Sequence, residues 1–468
     1  MLTKSRYASR RSVGLVFAVA AGLASTWACS ASGVDVEDDP RADASTTVRD
    51  GAHDVVAHED GSVREDRDAS KSGSDADVQD ADDVEDAGPD ADTVLDAGPD
   101  SGDGPVDNTI VQITTAAFGG FFNCARTASG SVYCWGQNNE GQLGIDEGTY
   151  AFEPTPQPVV ALTDAVEIAL GQDYACARRT SGRVACWGRA GKIGDGTTTR
   201  RLRPTEVFEL EDAVELAAGS GHICARRVSG QVVCWGSNGV GQIGDDTKVD
   251  RPIPTPVSGL TDAVEIAAGG NASCARRASG QVVCWGHNDQ GQLGDGTKTT
   301  RTSPVPVTSV TDAVEIAVGA VHACARRASG EVLCWGQNTY GTLGDGTRTS
   351  RATPAPALMS GAARLFAGNY YTCATQSSGA AFCWGIGLGG AVDSYTGSVL
   401  TPTAVDEPTD IAELSFNGSS RCALRTSGEV LCWGNNSYYQ VGDGTNIDRR
   451  TPVPVLGLPD NEAPDAGP

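Results

Sequence analysis

The sequence is poor in the residues and motifs that carry most enzyme chemistry. Its 468 residues include five histidines and two methionines, and aromatic residues make up 6% of the chain. It contains no Gly-x-Ser-x-Gly elbow, His-Glu-x-x-His pair, phosphate-binding loop or dinucleotide fingerprint. Lysine and arginine form no basic stripe, and the formal net charge is −25, which argues against nucleic-acid binding. We therefore expect no catalytic residues, no cofactor, no metal site and no nucleic-acid partner.

Long hydrophobic runs are scarce, and the clearest one lies near the N-terminus. Lys4, Arg6, Arg10 and Arg11 precede an apolar run at residues 13–24, which predicts a secretory signal and is short for a membrane span. Cys29 is placed like the lipidated cysteine of a bacterial lipoprotein, and ordinary cleavage nearby is the alternative. Residues 1–29 are assigned to signal and lipidation. We expect an exported protein, either anchored to the membrane at the cell surface or secreted.

Residues 30–108 contain almost no aromatic residues, and acidic residues dominate them. Between residues 34 and 109 there are 25 Asp and Glu residues against 5 Lys and Arg residues. Such a composition buries too little apolar surface to offset chain entropy, and like charges extend it. We predict a disordered linker at 30–108, a folded region at 109–458 and a disordered tail at 459–468.

A thirteen-residue phrase recurs seven times in the folded region, as in Cys224–Gly236, CARRVSGQVVCWG. Its two cysteines lie ten positions apart around a Ser-Gly turn, so they can face each other across a β-hairpin. Seven disulfides are predicted, with free thiols as the alternative; the spacing does not suit zinc. The cysteine pairs are Cys124 and Cys134, Cys176 and Cys186, Cys224 and Cys234, Cys274 and Cys284, Cys324 and Cys334, Cys373 and Cys383, and Cys422 and Cys432.

The period of about fifty residues predicts a repeat architecture. Each repeat contains an apolar strand, the cysteine hairpin, a Gly-Asp-Gly loop and a proline-flanked strand that belongs at a sheet edge. Four strands repeated seven times predict an all-β, seven-bladed β-propeller, with an open solenoid as the alternative. Because the link after the proline-flanked strand is short, we assign that strand to the following blade. Residues 451–455 would then complete the first blade and close the ring.

The repeated phrase resembles the regulator of chromosome condensation repeat. The resemblance rests on Val-Glu-Ile-Ala-Ala-Gly before the hairpin and Gly-Gln-Leu-Gly-Asp-Gly-Thr after it, and covers about residues 110–458. It implies the seven-bladed propeller. It also implies guanine-nucleotide exchange as one alternative activity, although an exported acidic protein would meet neither the small GTPase nor chromatin. Other propellers of this kind are secreted binding proteins, so function must be argued from the site.

Recurring side chains are expected to be structural. The tryptophan after each second cysteine is expected to pack between blades, and the Asp-Gly loops are expected to be turns. His222 and His322 share a slot that Phe122, Tyr174 and Tyr371 fill elsewhere, which indicates packing and not metal binding. The recurring arginine pairs after the first cysteine are expected to form interblade ion pairs or a solvated rim, with a polyanion site as the alternative.

Tyrosines concentrate in repeats five to seven, where loops could cluster on one face. Tyrosine is common at binding hot spots. We therefore predict that the protein is a monomeric propeller and that these tyrosines form a patch that binds an unknown protein or a surface glycan. The alternative is a polysaccharide-active enzyme with paired carboxylates, for which Asp146, Glu147, Glu153 and Asp393 are candidates without evident pairing. The predicted patch comprises Tyr340, Tyr370, Tyr371, Tyr395, Tyr438 and Tyr439.

Overall fold

A computed structural model describes residues 107–117, 119–146, 152–386, 397–405, 408–416 and 420–459. These residues form 28 β-strands in seven four-stranded antiparallel sheets, and they contain no helix. The all-β, seven-bladed propeller of four-stranded blades is therefore confirmed. Among the same residues, no helix is long and apolar enough to cross a membrane.

Each blade is one continuous stretch of four strands. The strands of blades 1 to 4 are β1 Ile110–Thr115, β2 Phe122–Thr127, β3 Val132–Gln137, β4 Phe152–Pro158, β5 Ala165–Leu170, β6 Tyr174–Arg179, β7 Val184–Gly188, β8 Arg201–Glu206, β9 Ala213–Ala218, β10 His222–Arg227, β11 Val232–Gly236, β12 Arg251–Pro256, β13 Ala263–Gly269, β14 Ala272–Arg277, β15 Val282–Gly286 and β16 Arg301–Pro306. The strands of blades 5 to 7 are β17 Ala313–Val318, β18 His322–Arg327, β19 Val332–Gly336, β20 Arg351–Pro356, β21 Ala362–Ala367, β22 Tyr371–Gln376, β23 Ala381–Ile386, β24 Ser398–Ala404, β25 Ile411–Phe416, β26 Ser420–Arg425, β27 Val430–Gly434 and β28 Arg449–Pro454.

The cysteine hairpin forms the centre of each blade. Cys224 on β10 lies directly opposite Cys234 on β11, with Cα atoms 4.0 Å apart. Gly230 takes a φ of +84° at the turn, where a side chain would meet the backbone of Thr261 in the link to the next blade. All seven predicted disulfides are present, each within one hairpin.

The predicted assignment of the proline-flanked strands to the following blade is wrong. β28 pairs with β27 of its own blade, where Val453 lies opposite Cys432, and the six preceding sheets follow the same rule. The reason lies in residues 237–250 and their counterparts at 287–300, 337–350 and 435–448, which fold back on themselves. The Asn238 side chain donates from Nδ2 to Asp245, Thr247 and Val249, so the loop returns to the strand it left.

Side-chain packing closes the ring between blades 7 and 1 without any exchanged strand. Trp135 of blade 1 is fully buried and donates from Nε1 to the Gln440 carbonyl of blade 7 at 3.1 Å. The backbone N–H of Ile113 donates to Glu413, and that of Thr115 donates to Ser415, both on β25. The predicted interblade role of this tryptophan is thereby confirmed.

Histidines at the predicted packing slot are buried. Nε2 of His222 lies 2.7 Å from Ser273 Oγ of the next blade, and Nε2 of His322 lies 2.8 Å from Thr372 Oγ1. Burial lowers the pKa of His222 to about 3, with a further contribution from Lys192, and lowers the pKa of His322 to about 4. Both rings are therefore neutral at physiological pH, as packing groups.

Candidate functional site

The propeller has two faces of different construction. Because neighbouring strands are antiparallel, the turns after the first strand and the loops after the third strand of every blade emerge on one face. We call this the long-loop face. The cysteine-hairpin turns and the links between blades form the opposite face, called here the hairpin face. Of the predicted patch, Tyr340, Tyr370, Tyr438 and Tyr439 lie on the long-loop face and Tyr371 lies just beneath it.

Rigid scaffolds support the loops of the long-loop face. In the loop of blade 3, Asp245 accepts hydrogen bonds from the backbone and hydroxyl of Thr247 and pairs with Arg251. Burial tends to raise the pKa of the Asp245 carboxyl, but these hydrogen bonds and those from Asn238 outweigh it, and the pKa is lowered. Side chains carried at the loop tips are thus held in fixed positions, which favours recognition.

An aromatic cluster lies on this face where blade 7 meets blade 1. The rings of Phe121 and Tyr438 stack with centroids 4.4 Å apart. Phe152 contacts both Tyr438 and Tyr439, with centroid separations of 5.5 and 6.0 Å. All four side chains are partly exposed. This cluster places two predicted tyrosines beside two phenylalanines of another blade, which only ring closure could bring there.

A second aromatic pair occupies the equivalent position between blades 5 and 6. Tyr340 lies in the loop after β19 and Tyr370 in the turn before β22, with ring centroids 5.3 Å apart and nearly perpendicular planes. In the repeat, Tyr340 corresponds to Tyr438 and Tyr370 to Phe121. The two pairs therefore flank blades 6 and 7 on the long-loop face.

Tyr439 has an unusual backbone conformation. Its φ is +61°, in the left-handed region that bulky residues avoid. At the same place in five other repeats the residue is glycine, and each of these glycines also has a positive φ: Gly141, Gly191, Gly241, Gly291 and Gly341. A large aromatic side chain has been placed where the loop geometry calls for glycine.

One of the predicted tyrosines does not join this surface. Tyr371 is only 3% exposed and packs edge-on against Phe416, so it belongs to the packing slot and its place in an exposed patch was wrong. Burial raises its pKa well above the usual value. Tyr395 lies outside the described residues. Sequence reasoning missed Phe121, although its equivalence to Tyr370 in the repeat could have identified it.

The candidate carboxylates show no catalytic pairing among the described residues. Asp146 forms an ion pair with Arg203, and Glu153 lies on β4 opposite Gly136. Glu147, Asp393 and the proposed lipidation site Cys29 fall outside the described part. Within that part, no three His, Cys, Asp or Glu side chains are grouped so that they could hold a metal ion.

Comparisons with known families agree with the fold. The profile of the RCC1-like domain matches residues 84–417, and that of the regulator of chromosome condensation (RCC1) repeat matches residues 427–466. The chain is 32% identical over 81 residues to the RCC1 domain-containing protein RUG3, mitochondrial, of Arabidopsis thaliana, which covers 17% of this chain and 18% of that protein. The matched segments span less than a fifth of the length of the curated relatives.

Two solved structures share the architecture. Human WBSCR16 superposes with a TM-score of 0.63 at 20% identity, covering 70% of this chain and 94% of that one. Prp20p of Saccharomyces cerevisiae superposes with a TM-score of 0.62 at 20% identity, covering 70% of this chain and 85% of that one. At this identity the likeness concerns the fold.

Proposed function

Because the chain belongs to the RCC1-like domain family, we propose that it is an exported recognition scaffold whose long-loop face binds another protein at the bacterial cell envelope. The aromatic clusters at the 7/1 and 5/6 junctions are the contact surface in this proposal. Tyr340, Tyr370, Tyr438 and Tyr439 are its binding residues, together with Phe121 and Phe152. Cys29 is the proposed lipid anchor, and residues 30–108 are the proposed spacer.

The conformation of Tyr439 is the observation that carries this proposal. A left-handed conformation at a non-glycine residue costs about 1–3 kcal/mol and persists where the surrounding structure holds it, often at functional sites. Glycine occupies the position in five other repeats, so the tyrosine is not needed to build the loop. Recognition explains why an aromatic side chain is presented there at the expense of stability.

The proposed location rests on the N-terminus and the disulfides. Seven disulfides fit an oxidising compartment, and the signal-like segment fits export. Among relatives of the fold, Prp20p is described with binding properties to Gsp1p and histones, and yeast RCC1 is described bound to Kap60. From these relatives we transfer to this protein only the general function of binding other proteins. Exchange on a cytoplasmic GTPase does not fit an exported chain.

The test compares two variants of the full chain as bait against envelope and periplasmic proteins of the source organism. Tyr438→Ala combined with Tyr439→Gly removes two rings from the long-loop face. Val228→Ala, at a 73% exposed position on the hairpin face, is the control. We expect saturable capture of one protein by the wild type and the control, and at least about tenfold weaker capture by the double variant.

Equal capture by all three baits, or capture lost with the control as well, contradicts the proposed surface. Retention of carbohydrate without any protein partner contradicts protein recognition and replaces it with glycan binding. Thermal denaturation of each bait separates lost binding from lost folding.

A further inference from the structure

A ring of ion pairs surrounds the channel near the hairpin face in blades 2 to 5. The third residue of each first strand is a glutamate, and an arginine on the second strand of the same blade donates to it at 2.6–2.8 Å. The predicted interblade pairing of these arginines is therefore wrong. The other carboxylate oxygen accepts the backbone N–H of the following blade, as in Ile316 to Glu265 at 3.0 Å. In these blades every charge of the ring has an opposite partner.

The pattern is broken in three consecutive blades. In blade 6, Arg364 takes the glutamate position and faces Thr375. In blade 7, Glu413 faces Leu424, which replaces the arginine. In blade 1, Arg126 faces the neutral Gln112 and donates to its Oε1 at 3.2 Å.

These substitutions leave three charges without a salt-bridge partner among the described residues. Arg126 otherwise donates to backbone carbonyls, and Arg364 donates to the Ala412 carbonyl at 3.4 Å. Glu413 accepts one hydrogen bond, from Ile113 N–H to Oε2 at 3.1 Å. Burial raises the pKa of Glu413, against the opposing effects of that hydrogen bond, Arg364 and Arg126.

The three charges line one pocket of about 410 Å³ at the hairpin-face end of the channel, together with the paired Glu167 and Arg178 of blade 2. Its apolar lining includes Val111, Val166 and Val214, each the second residue of a first strand. A β-bulge in each of these strands, as between Ile110 and Gln112, sets the second residue apart from the regular pairing. Leu424 completes the apolar lining. The volume is within the range of small-ligand sites.

We propose that this pocket binds a short peptide through both of its free termini. The peptide's ammonium group occupies the position beside Glu413 that an arginine holds in blades 2 to 5. Its carboxylate lies against Arg364 and Arg126. Small apolar side chains of the peptide contact the valines and Leu424.

A zwitterionic ligand, with a positive charge at one end and a negative charge at the other, fits this pocket better than a simple ion. A plain anion would satisfy the arginines but would meet the Glu413 carboxylate, and a plain cation would meet the two arginines. An extended dipeptide places its termini about 7 Å apart, so a single small molecule can present both charges within a pocket of this volume. The site lies on the face opposite the aromatic clusters, so it is independent of the proposed protein-binding surface.

Calorimetric titration of the full chain with alanyl-alanine tests the proposal. The probes for comparison are N-acetyl-alanyl-alanine, which lacks the ammonium group, and alanyl-alanine amide, which lacks the carboxylate. We expect saturable binding of the free dipeptide and at least about tenfold weaker binding of each blocked form, because a charged hydrogen bond is lost.

The decisive variant is Leu424→Arg, which restores the blade 2–5 pattern and fills the ammonium position from within. Val228→Arg adds the same charge to the same face outside the pocket and is the matched control. We expect Leu424→Arg to weaken dipeptide binding at least about tenfold and Val228→Arg to leave it unchanged. Glu413→Gln and Arg364→Gln should each weaken it similarly, and they decide the matter if Leu424→Arg does not fold.

Three results overturn the proposal. The first is no saturation by alanyl-alanine up to about 10 mM, which corresponds to binding weaker than about 3 kcal/mol. The second is equal binding of either blocked peptide. The third is undiminished binding by the folded Leu424→Arg protein or by Glu413→Gln.

Discussion

Blades 2 to 5 and the closure sector, which is blades 6, 7 and 1, share one backbone plan but differ in their side chains. In blades 2 to 5 the glutamate–arginine pairs repeat without a break, and the loop position equivalent to Tyr439 carries glycine. In the closure sector these pairs are broken, and Tyr439 takes the place of glycine. Repetition marks the residues that build the ring, and in both of our proposals the departures from it supply the binding residues.

The largest expected effect comes from the closing tryptophan. Trp135→Ala should lower the free energy of unfolding by about 3–5 kcal/mol or more, since a large buried side chain is removed. Trp285→Ala removes the equivalent contact, Nε1 to the Gln242 carbonyl at 2.9 Å, between blades that are also joined by the chain. Urea denaturation and limited proteolysis measure both. If Trp135→Ala is no more damaging than Trp285→Ala, the closing junction is not the weak point of the ring.

Acidic pH should lower the free energy of unfolding through the buried histidines of blades 3 and 5. The folded pKa values of His222 and His322, about 3 and about 4, lie below the ordinary 6.5. The unfolded state therefore binds protons first as pH falls, and the stability present above pH 6.5 is progressively lost below it. At pH 4.5 the loss is about 2–3 kcal/mol for each histidine.

Replacing both histidines by tyrosine, as found at Tyr174 and Tyr371, should flatten this part of the pH profile. Chemical denaturation at pH 7 and pH 4.5 gives the difference for each protein, so any constant cost of the replacement cancels. An unchanged pH dependence in the double variant would refute the histidine contribution.

The ion pairs offer a direct contrast between the two regions. Glu265→Gln breaks an intact pair with Arg276 and should cost about 1–3 kcal/mol. Glu413→Gln removes a carboxylate that lacks a salt-bridge partner and keeps an oxygen that can accept from Ile113, so it should cost less than about 1 kcal/mol. Thermal denaturation of the two matched variants is the measurement. Equal losses would show that Glu413 is as well paired as Glu265.

The smallest effect should have the opposite sign. Tyr439→Gly relieves a left-handed backbone and should stabilise the protein by about 0.5–1 kcal/mol after the loss of its contact with Phe152. Gly241→Tyr, which places a tyrosine in the equivalent loop of blade 3, should destabilise it instead. If Tyr439→Gly is destabilising, the tyrosine is a packing residue and the argument for recognition fails.

Local sequence patterns predicted the blades well but not their boundaries. The facing of Cys224 and Cys234 follows from a ten-residue spacing around a turn, and the buried slot of His222 follows from its aromatic counterparts. The assignment of the fourth strand to the following blade failed because the long loop between the third and fourth strands was taken to mean that these two strands lie far apart. The Asn238 side chain folds this loop back through hydrogen bonds within the loop, and the number of residues in the loop does not reveal them.

The candidate sites were visible only in part for a related reason. Tyr438 and Tyr340 could be found as aromatic residues in loops, because each is local. Phe121 stacks on Tyr438 across more than 300 positions of sequence, and Arg126 lines one pocket with Glu413 across more than 280. Contacts of this kind depend on closure of the ring, which the repeat period implies but does not locate.

The agreement between blade and repeat has a consequence for how such a chain can change over generations. Since each sheet of the described residues consists of four consecutive strands, a stretch cut at the links between blades encodes a whole sheet with its own disulfide. In-frame duplication, loss or exchange of that stretch moves a finished building block and leaves the flanking sheets intact. A propeller closed by a borrowed strand could not be shuffled at those points.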